Sequence, residues 1–153
     1  MRLLYRSETT TRFNRVPMMP THAARFDVLL VEDDADQLFM LREMLTLAGY
    51  CVHGVANATE AIATLKTARV DLLVSDIRLT HEMNGFELAD LAQSLQPSLQ
   101  VLFITGFTIG LASHQRAARP DAKILQKPFT LDALVDTVGN FLGDPVLVCP
   151  VIS

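Results

Sequence analysis

The sequence lacks three features that would place a protein in or beyond a membrane. No apolar run approaches the roughly 20 residues that a transmembrane helix needs. The apolar patch within Met1–Tyr5 is too short to be the hydrophobic region of a signal peptide. The only two cysteines, Cys51 and Cys149, lie far apart and without the spacing of metal ligands. These absences predict a protein of the reducing cytoplasm, with two free thiols, no disulfide framework and no contact with a membrane.

Basic residues are scarce outside the N-terminal region. Residues 1–25 hold five arginines and one glutamate, a net charge of +4, whereas residues 26–143 hold eight basic and 15 acidic residues, a net charge of −7. Nucleic-acid binding relies on clustered lysine and arginine that contact phosphates, so we expect no nucleic-acid partner. We expect residues 1–25 to form a basic, disordered arm, because short polar termini are rarely ordered.

Two patterns of hydrophobic spacing, one typical of strands and one typical of helices, alternate along the rest of the chain. The 153 residues, half of them hydrophobic and a fifth charged, suit one globular domain. Apolar runs predict five buried strands: Val28–Val31, Cys51–Val55, Leu72–Ser75, Val101–Ile104 and Lys123–Gln126. Helical patterns follow them: Gln37–Ala48, Thr59–Thr67, Phe86–Leu95, a weaker one at Ile109–Ala118, and Leu131–Leu142. Apolar strands separated by helix-length connections indicate an α/β, doubly wound parallel sheet with helices on both faces.

Polar side chains follow four of the five predicted strands. The first strand is followed by Glu32 and Asp33, the third by Asp76, the fourth by Thr105 and the fifth by Lys127. Ligands of open parallel sheets bind beyond the carboxyl ends of the strands. We therefore expect three carboxylates, one hydroxyl and one ammonium group to converge at one edge of the sheet.

This set of side chains suits phosphoryl chemistry. Asp76 alone could be a loop cap, but with Glu32 and Asp33 beside it the oxygen-rich cluster suits Mg²⁺. An aspartate can also act as a nucleophile and form an aspartyl phosphate, and phosphoryl transfer requires mainly positioning and charge neutralisation. Asp34 and Asp36 are interpreted as carboxylates at the start of a helix, where they face the positive end of its dipole.

Five fragments of the sequence resemble the receiver domain of bacterial response regulators. In chain order they read VLLVEDD, LLVSDIRL, MNGFEL, LFITG and LQKPF, at separations that agree with the family. The resemblance covers residues 26–143 and implies a flavodoxin-like fold with strand order 2-1-3-4-5. It leaves residues 144–153 as a short C-terminal tail, which is too small to be a DNA-binding module.

The resemblance implies a role for each matching residue. Asp76 would accept a phosphoryl group from a phosphohistidine on a sensor histidine kinase or a histidine phosphotransfer protein. Mg²⁺ would be bound by Glu32, Asp33, Asp76 and the Arg78 main-chain carbonyl. Thr105 and Lys127 would bind the phosphoryl group and act in the switch. Gly106, without a side chain, would leave the phosphorylation site open, and a cis peptide bond would precede Pro128. Such a protein is not an enzyme beyond its own phosphorylation and dephosphorylation. It signals to a downstream protein, which the sequence does not identify. The formation of a homodimer is possible.

The sequence departs from the family pattern in places, and other functions stay open. Ile124 stands where many members have an aromatic residue, and the THEMNG loop, which begins at Thr80, is one residue longer than the commonest form. The alternatives are a fragment of a hybrid histidine kinase, a degenerate receiver that only binds, a flavin binder, and an aspartate-nucleophile phosphatase, which would need its nucleophile on the first strand. The four histidines, His53 among them, are interpreted as surface or packing residues.

Overall fold

All five strands of the sheet run parallel to their neighbours. The computed structural model describes residues 25–79, 83–106 and 119–143. Its elements are β1 Asp27–Val31, α1 Ala35–Leu47, β2 Cys51–Val55, α2 Ala58–Thr67, β3 Leu72–Asp76, α3 Gly85–Leu95, β4 Gln100–Thr105, β5 Lys123–Gln126 and α4 Leu131–Leu142. The strand order is β2-β1-β3-β4-β5. The predicted doubly wound sheet and its order 2-1-3-4-5 are therefore confirmed.

Some predicted segments fall outside the described residues. These are the N-terminal arm except Arg25, the loop residues Thr80, His81 and Glu82, the weak helix at Ile109–Ala118, and the tail at residues 144–153. Within the ranges that are described, no helix has both the length and the apolarity needed to cross a membrane.

Alternate residues of β1 face opposite sides of the sheet and create two cores. Leu29 and Val31 pack on the side that is covered by α2 and α3, whereas Val28 and Leu30 pack on the side covered by α1 and α4. All four side chains are fully buried. Burial of one such side chain contributes about 1.5–3 kcal/mol. Burial on both faces explains why β1 is apolar at every position from Val28 to Val31 and not only at alternate ones.

The helices begin at capping residues that the sequence contains. Asp34 accepts a hydrogen bond from the Gln37 amide at 3.0 Å and caps α1, so the helix begins at Ala35, two residues earlier than its apolar pattern indicates. Asp36 lies in the first turn, as predicted from the helix dipole. Thr130 caps α4 in the same way, through the Ala133 amide at 3.1 Å.

Helix α3 begins in direct contact with the end of β3. The Gly85 amide donates a hydrogen bond to the Ile77 carbonyl at 2.9 Å. A Cβ atom at Gly85 would overlap the Asp76 carbonyl oxygen and lie 3.0 Å from the Ile77 Cα. The missing side chain therefore lets α3 pack closely against the backbone that carries Asp76.

This close approach predicts that Gly85→Ala is destabilising. The added methyl group must displace backbone, which cannot rotate away, so we expect a loss of about 1–3 kcal/mol in the free energy of unfolding. Gly106→Ala is the matched control, because a Cβ atom there would meet no atom within 4 Å; its effect should stay within about 0.5 kcal/mol. Urea unfolding followed by circular dichroism measures both, and equal stabilities for the two variants would contradict the packing described.

Candidate functional site

A lysine ammonium group joins the carboxyl ends of β1 and β3. Lys127 Nζ lies 2.9 Å from Glu32 Oε2 and 3.1 Å from Asp76 Oδ2. Glu32 follows β1, Asp76 is the last residue of β3, and Lys127 follows β5. The predicted convergence of charged residues at this edge of the sheet is thus present for these three side chains.

Asp76 is held by hydrogen bonds to both carboxylate oxygens. The Arg78 amide donates to Oδ1 at 2.9 Å, and Lys127 donates to Oδ2. Asp76 is 9% exposed, so most of its surface is removed from water. Its position at the end of a fully buried strand fixes the backbone, and these donors fix the side chain.

Glu32 is the most deeply buried ionisable group of the site, with 1% exposure. Its Oε1 accepts a hydrogen bond from the Asp34 amide at 3.2 Å, and its Oε2 accepts one from Lys127. Burial raises the pKa of Glu32 above its ordinary value, although the hydrogen bond from Lys127 and the Asp34 amide act in the opposite direction. The carboxylate of Glu32 is therefore only partly compensated by its neighbours.

Lys127 keeps its charge in spite of its partial burial. Burial alone would lower the pKa of Lys127, but the hydrogen bonds and charges of Glu32 and Asp76 outweigh it and raise the pKa above the ordinary value. The site therefore contains a permanent cation at neutral pH.

Gln37 is a member of the site that the sequence did not reveal. Its Oε1 accepts a hydrogen bond from Lys127 Nζ at 2.6 Å, so the three ammonium protons have three oxygen partners. Gln37 lies in the first turn of α1, and its position depends on the cap at Asp34. The capping motif in the sequence indicates that Gln37 lies in the first turn of α1. It does not specify what the side chain of a first-turn residue contacts.

The remaining predicted residues line the same edge. Asp33 directly follows Glu32 and is exposed. Thr105 ends β4 and is 1% exposed, and its carbonyl accepts a hydrogen bond from the Lys127 amide at 2.8 Å. Gly106 is exposed, and the peptide bond between Lys127 and Pro128 is cis, as the resemblance implies.

An apolar cavity of about 400 Å³ opens beside the ammonium group. It is lined by Gln37, Met40, Leu41, Met44, Lys127, Pro128 and Phe129. Phe39 and Met40 on α1 are 67% and 48% exposed. An apolar surface therefore adjoins the charged site directly.

The sequence is similar to a known protein family and to individual proteins of known description. The family described as response regulator receiver domain matches residues 28–139. The response regulator receiver protein CpdR of Brucella abortus is 39% identical over 115 residues, which cover 75% of this chain and 95% of CpdR. The sensor kinase CckA of the same organism is 32% identical over 118 residues, 75% of this chain but 12% of the kinase.

Solved structures with a similar fold include other receiver proteins. A response regulator receiver protein from Sinorhizobium medicae has a TM-score of 0.68 and 33% identity, covering 78% of this chain and 95% of its own. The chemotaxis protein CheY4 of Vibrio cholerae has a TM-score of 0.69 and 29% identity, covering 77% of this chain and 99% of its own. The chain therefore belongs to the response regulator receiver domain family and is a receiver domain of two-component signalling.

Proposed function

We propose that Asp76 is the phosphoacceptor and that its phosphorylation switches the protein contacts of this chain. The observation that supports this most is the Lys127 ammonium group, held between Glu32 and Asp76 at the carboxyl edge of the sheet. A fixed cation beside a carboxylate at this edge suits the transfer of an anionic group. The family supports the same role, because receiver domains act in two-component systems.

In the proposed reaction, a carboxylate oxygen of Asp76 attacks the phosphorus atom of a phosphohistidine. An oxygen–phosphorus bond forms and the phosphorus–nitrogen bond breaks. The electron pair of the broken bond stays on the imidazole nitrogen, which takes up a proton. Lys127 would transfer one hydrogen bond from Asp76 Oδ2 to a phosphoryl oxygen, and the Thr105 hydroxyl would donate to another. Gly106, without a side chain, would leave room for the phosphoryl donor.

The donors at this edge also fit a hard divalent cation. Glu32, Asp33 and Asp76 supply only carboxylate oxygens, and the Arg78 main-chain carbonyl would be a further oxygen ligand. The raised pKa of Glu32 indicates that Lys127 does not fully compensate the buried charge. Mg²⁺ bound by these groups would neutralise the carboxylates and draw charge from the phosphoryl oxygens during transfer.

The phosphodonor would be a sensor histidine kinase or a histidine phosphotransfer protein. The apolar cavity between α1 and Phe129 lies beside Lys127, so a partner helix that fills it would come close to Asp76. The free thiol of Cys51 fits the cytoplasmic location that we propose. We further propose that residues 1–25 and 144–153 flank the receiver domain as an arm and a tail.

The assignment of Asp76 predicts a single covalent adduct. Acetyl phosphate or a phosphorylated kinase, together with Mg²⁺, should add one phosphoryl group, measured by intact-mass spectrometry. The adduct should be stable to acid relative to phosphohistidine and labile to hydroxylamine, as an acyl phosphate is. Asp76→Asn should abolish it, whereas Asp36→Asn, which removes a nearby carboxylate outside the site, should retain it. An adduct of the same yield on Asp76→Asn would refute the assignment.

The oxygen-rich pocket predicts that Mg²⁺ stabilises the fold. A ligand that binds only the folded state at about ten times its Kd adds about 1.4 kcal/mol to the free energy of unfolding. We expect thermal unfolding of the wild type to shift upward by several degrees between EDTA and millimolar Mg²⁺. Asp33→Asn should lose most of this shift and Asp36→Asn should keep it. A shift of the same size in Asp33→Asn would exclude Asp33 as a ligand.

The burial of Glu32 predicts that, in the absence of metal, this residue lowers the free energy of unfolding as the pH rises. Because the folded-state pKa is raised above 4.5, the contribution of Glu32 to stability is fully present below pH 4.5 and is lost as the pH rises through the raised value. Gln at this position cannot titrate. In EDTA, the stability of Glu32→Gln relative to the wild type should therefore increase from pH 4.5 to pH 7.

Urea unfolding at several pH values checks this expectation. Glu43→Gln, which removes an exposed carboxylate of α1 outside the site, is the matched control and should not show this increase. A stability of Glu32→Gln that declines relative to the wild type over this range would contradict the proposed sign.

A further inference from the structure

Three metal-binding side chains meet at the end of the sheet opposite to Asp76. Asp27 begins β1 and Cys51 begins β2, and the two residues are direct partners in the parallel register. His53 lies two residues after Cys51, so its side chain extends from the same face of the sheet. One carboxylate oxygen, the thiol sulfur and one imidazole nitrogen all lie within 4.8 Å of one another.

The spacing of these atoms is close to that of a tetrahedral metal centre. Metal–ligand distances of about 2.0–2.3 Å place the donor atoms of a tetrahedral zinc ion about 3.3–3.8 Å apart. Asp27 Oδ1 and His53 Nε2 are already 3.1 Å apart. The sulfur lies within 4.8 Å of both atoms, so it needs a shift of about 1.5 Å at most, within reach of side-chain rotation. His53 and Asp27 retain 34% and 33% of their side-chain exposure, so an ion from solution can reach them.

Two simpler interpretations account for less of this cluster. A hydrogen-bonded cluster, in which His53 and the Cys51 thiol both contact the Asp27 carboxylate, explains the contact at 3.1 Å but not why a sulfur, a nitrogen and an oxygen donor converge. A redox-active cysteine is disfavoured, since burial and the neighbouring Asp27 carboxylate raise the pKa of the Cys51 thiol, and the reactive form is the thiolate.

We propose that Asp27, Cys51 and His53 bind a borderline transition-metal ion, Zn²⁺, with water as the fourth ligand. One sulfur, one nitrogen and one oxygen donor suit Zn²⁺, whereas the carboxylate cluster around Asp76 suits the hard ion Mg²⁺. The charges of one carboxylate and one thiolate balance the dication. Binding releases the thiol proton, His53 carries its remaining proton on Nδ1, and the ion replaces the hydrogen bond between Asp27 and His53.

The site would connect an edge strand to its only neighbour in the sheet. Strand β2 ends the described sheet and pairs with β1 alone. Two of the ligands come from β2 and one from β1, so the ion would cross-link the strands where both begin. Asp27 and Glu32 are separated by the length of β1, roughly 16 Å at about 3.3 Å per residue. The zinc site and the acidic pocket are thus separate binding sites.

Cobalt, a spectroscopic substitute for zinc, tests the proposal on the full chain. Metal-free protein titrated with Co²⁺ should develop a thiolate-to-metal charge-transfer band and visible ligand-field bands at one equivalent, and Zn²⁺ should abolish both. Cys51→Ser should lose the charge-transfer band, and Asp27→Asn and His53→Gln should weaken Co²⁺ binding at least tenfold. Cys149→Ser, which removes the other thiol, is the matched control and should keep the band and the affinity.

Two further measurements keep the outcome unambiguous. Each variant should still accept a phosphoryl group from acetyl phosphate, which shows that it is folded, and excess Mg²⁺ should leave the cobalt spectrum unchanged. The proposal is overturned if the wild type shows no charge-transfer band with Co²⁺, if Cys51→Ser retains it, or if Cys149→Ser loses it. Binding that Asp33→Asn abolishes and Asp27→Asn preserves would assign the ion to the acidic pocket instead.

Discussion

The contact of the Lys127 ammonium group with two buried carboxylates is the interaction on which the site depends. Glu32 follows β1 and Asp76 ends the neighbouring strand β3, so parallel pairing brings their like charges together. Without a cation between them, burial and mutual repulsion would favour protonation of one carboxylate. Lys127 removes part of this cost and orients Asp76, while burial still raises the pKa of Glu32. The sheet therefore brings together charges that its apolar interior disfavours, at an edge that adjoins an apolar cavity.

Much of this arrangement could be predicted from the sequence because parallel topology leaves few alternatives. Parallel strands bring the residues that follow their carboxyl ends to one edge of the sheet, and the structure joins Glu32, Asp76 and Lys127 there. The capping role of Asp34 was predictable too, because a carboxylate before an apolar helix has few other partners.

Other contacts could not be predicted, because they depend on tertiary geometry and not on local pattern. Gln37 reaches Lys127 from α1, a separation of 90 residues along the chain. No local spacing in the sequence shows that His53 contacts Asp27 from the neighbouring strand. The close contact of Gly85 with the Asp76 backbone was also hidden, although the fragment that contains Gly85 helped to identify the family. Each of these contacts needs the strand register or the helix position before it becomes visible.

The short edge strands have a consequence for how this domain behaves at high concentration. An exposed strand edge offers unpaired amide and carbonyl groups to any other extended chain, and this is a common route to aggregation. Strand β5 has only four residues and begins with Lys123, a charged residue typical of protected edges, while β2 has five and contains Gly54. Neither edge offers a long, flat template, so intermolecular strand addition should be slow, and assemblies of this domain should form through helix surfaces and loops.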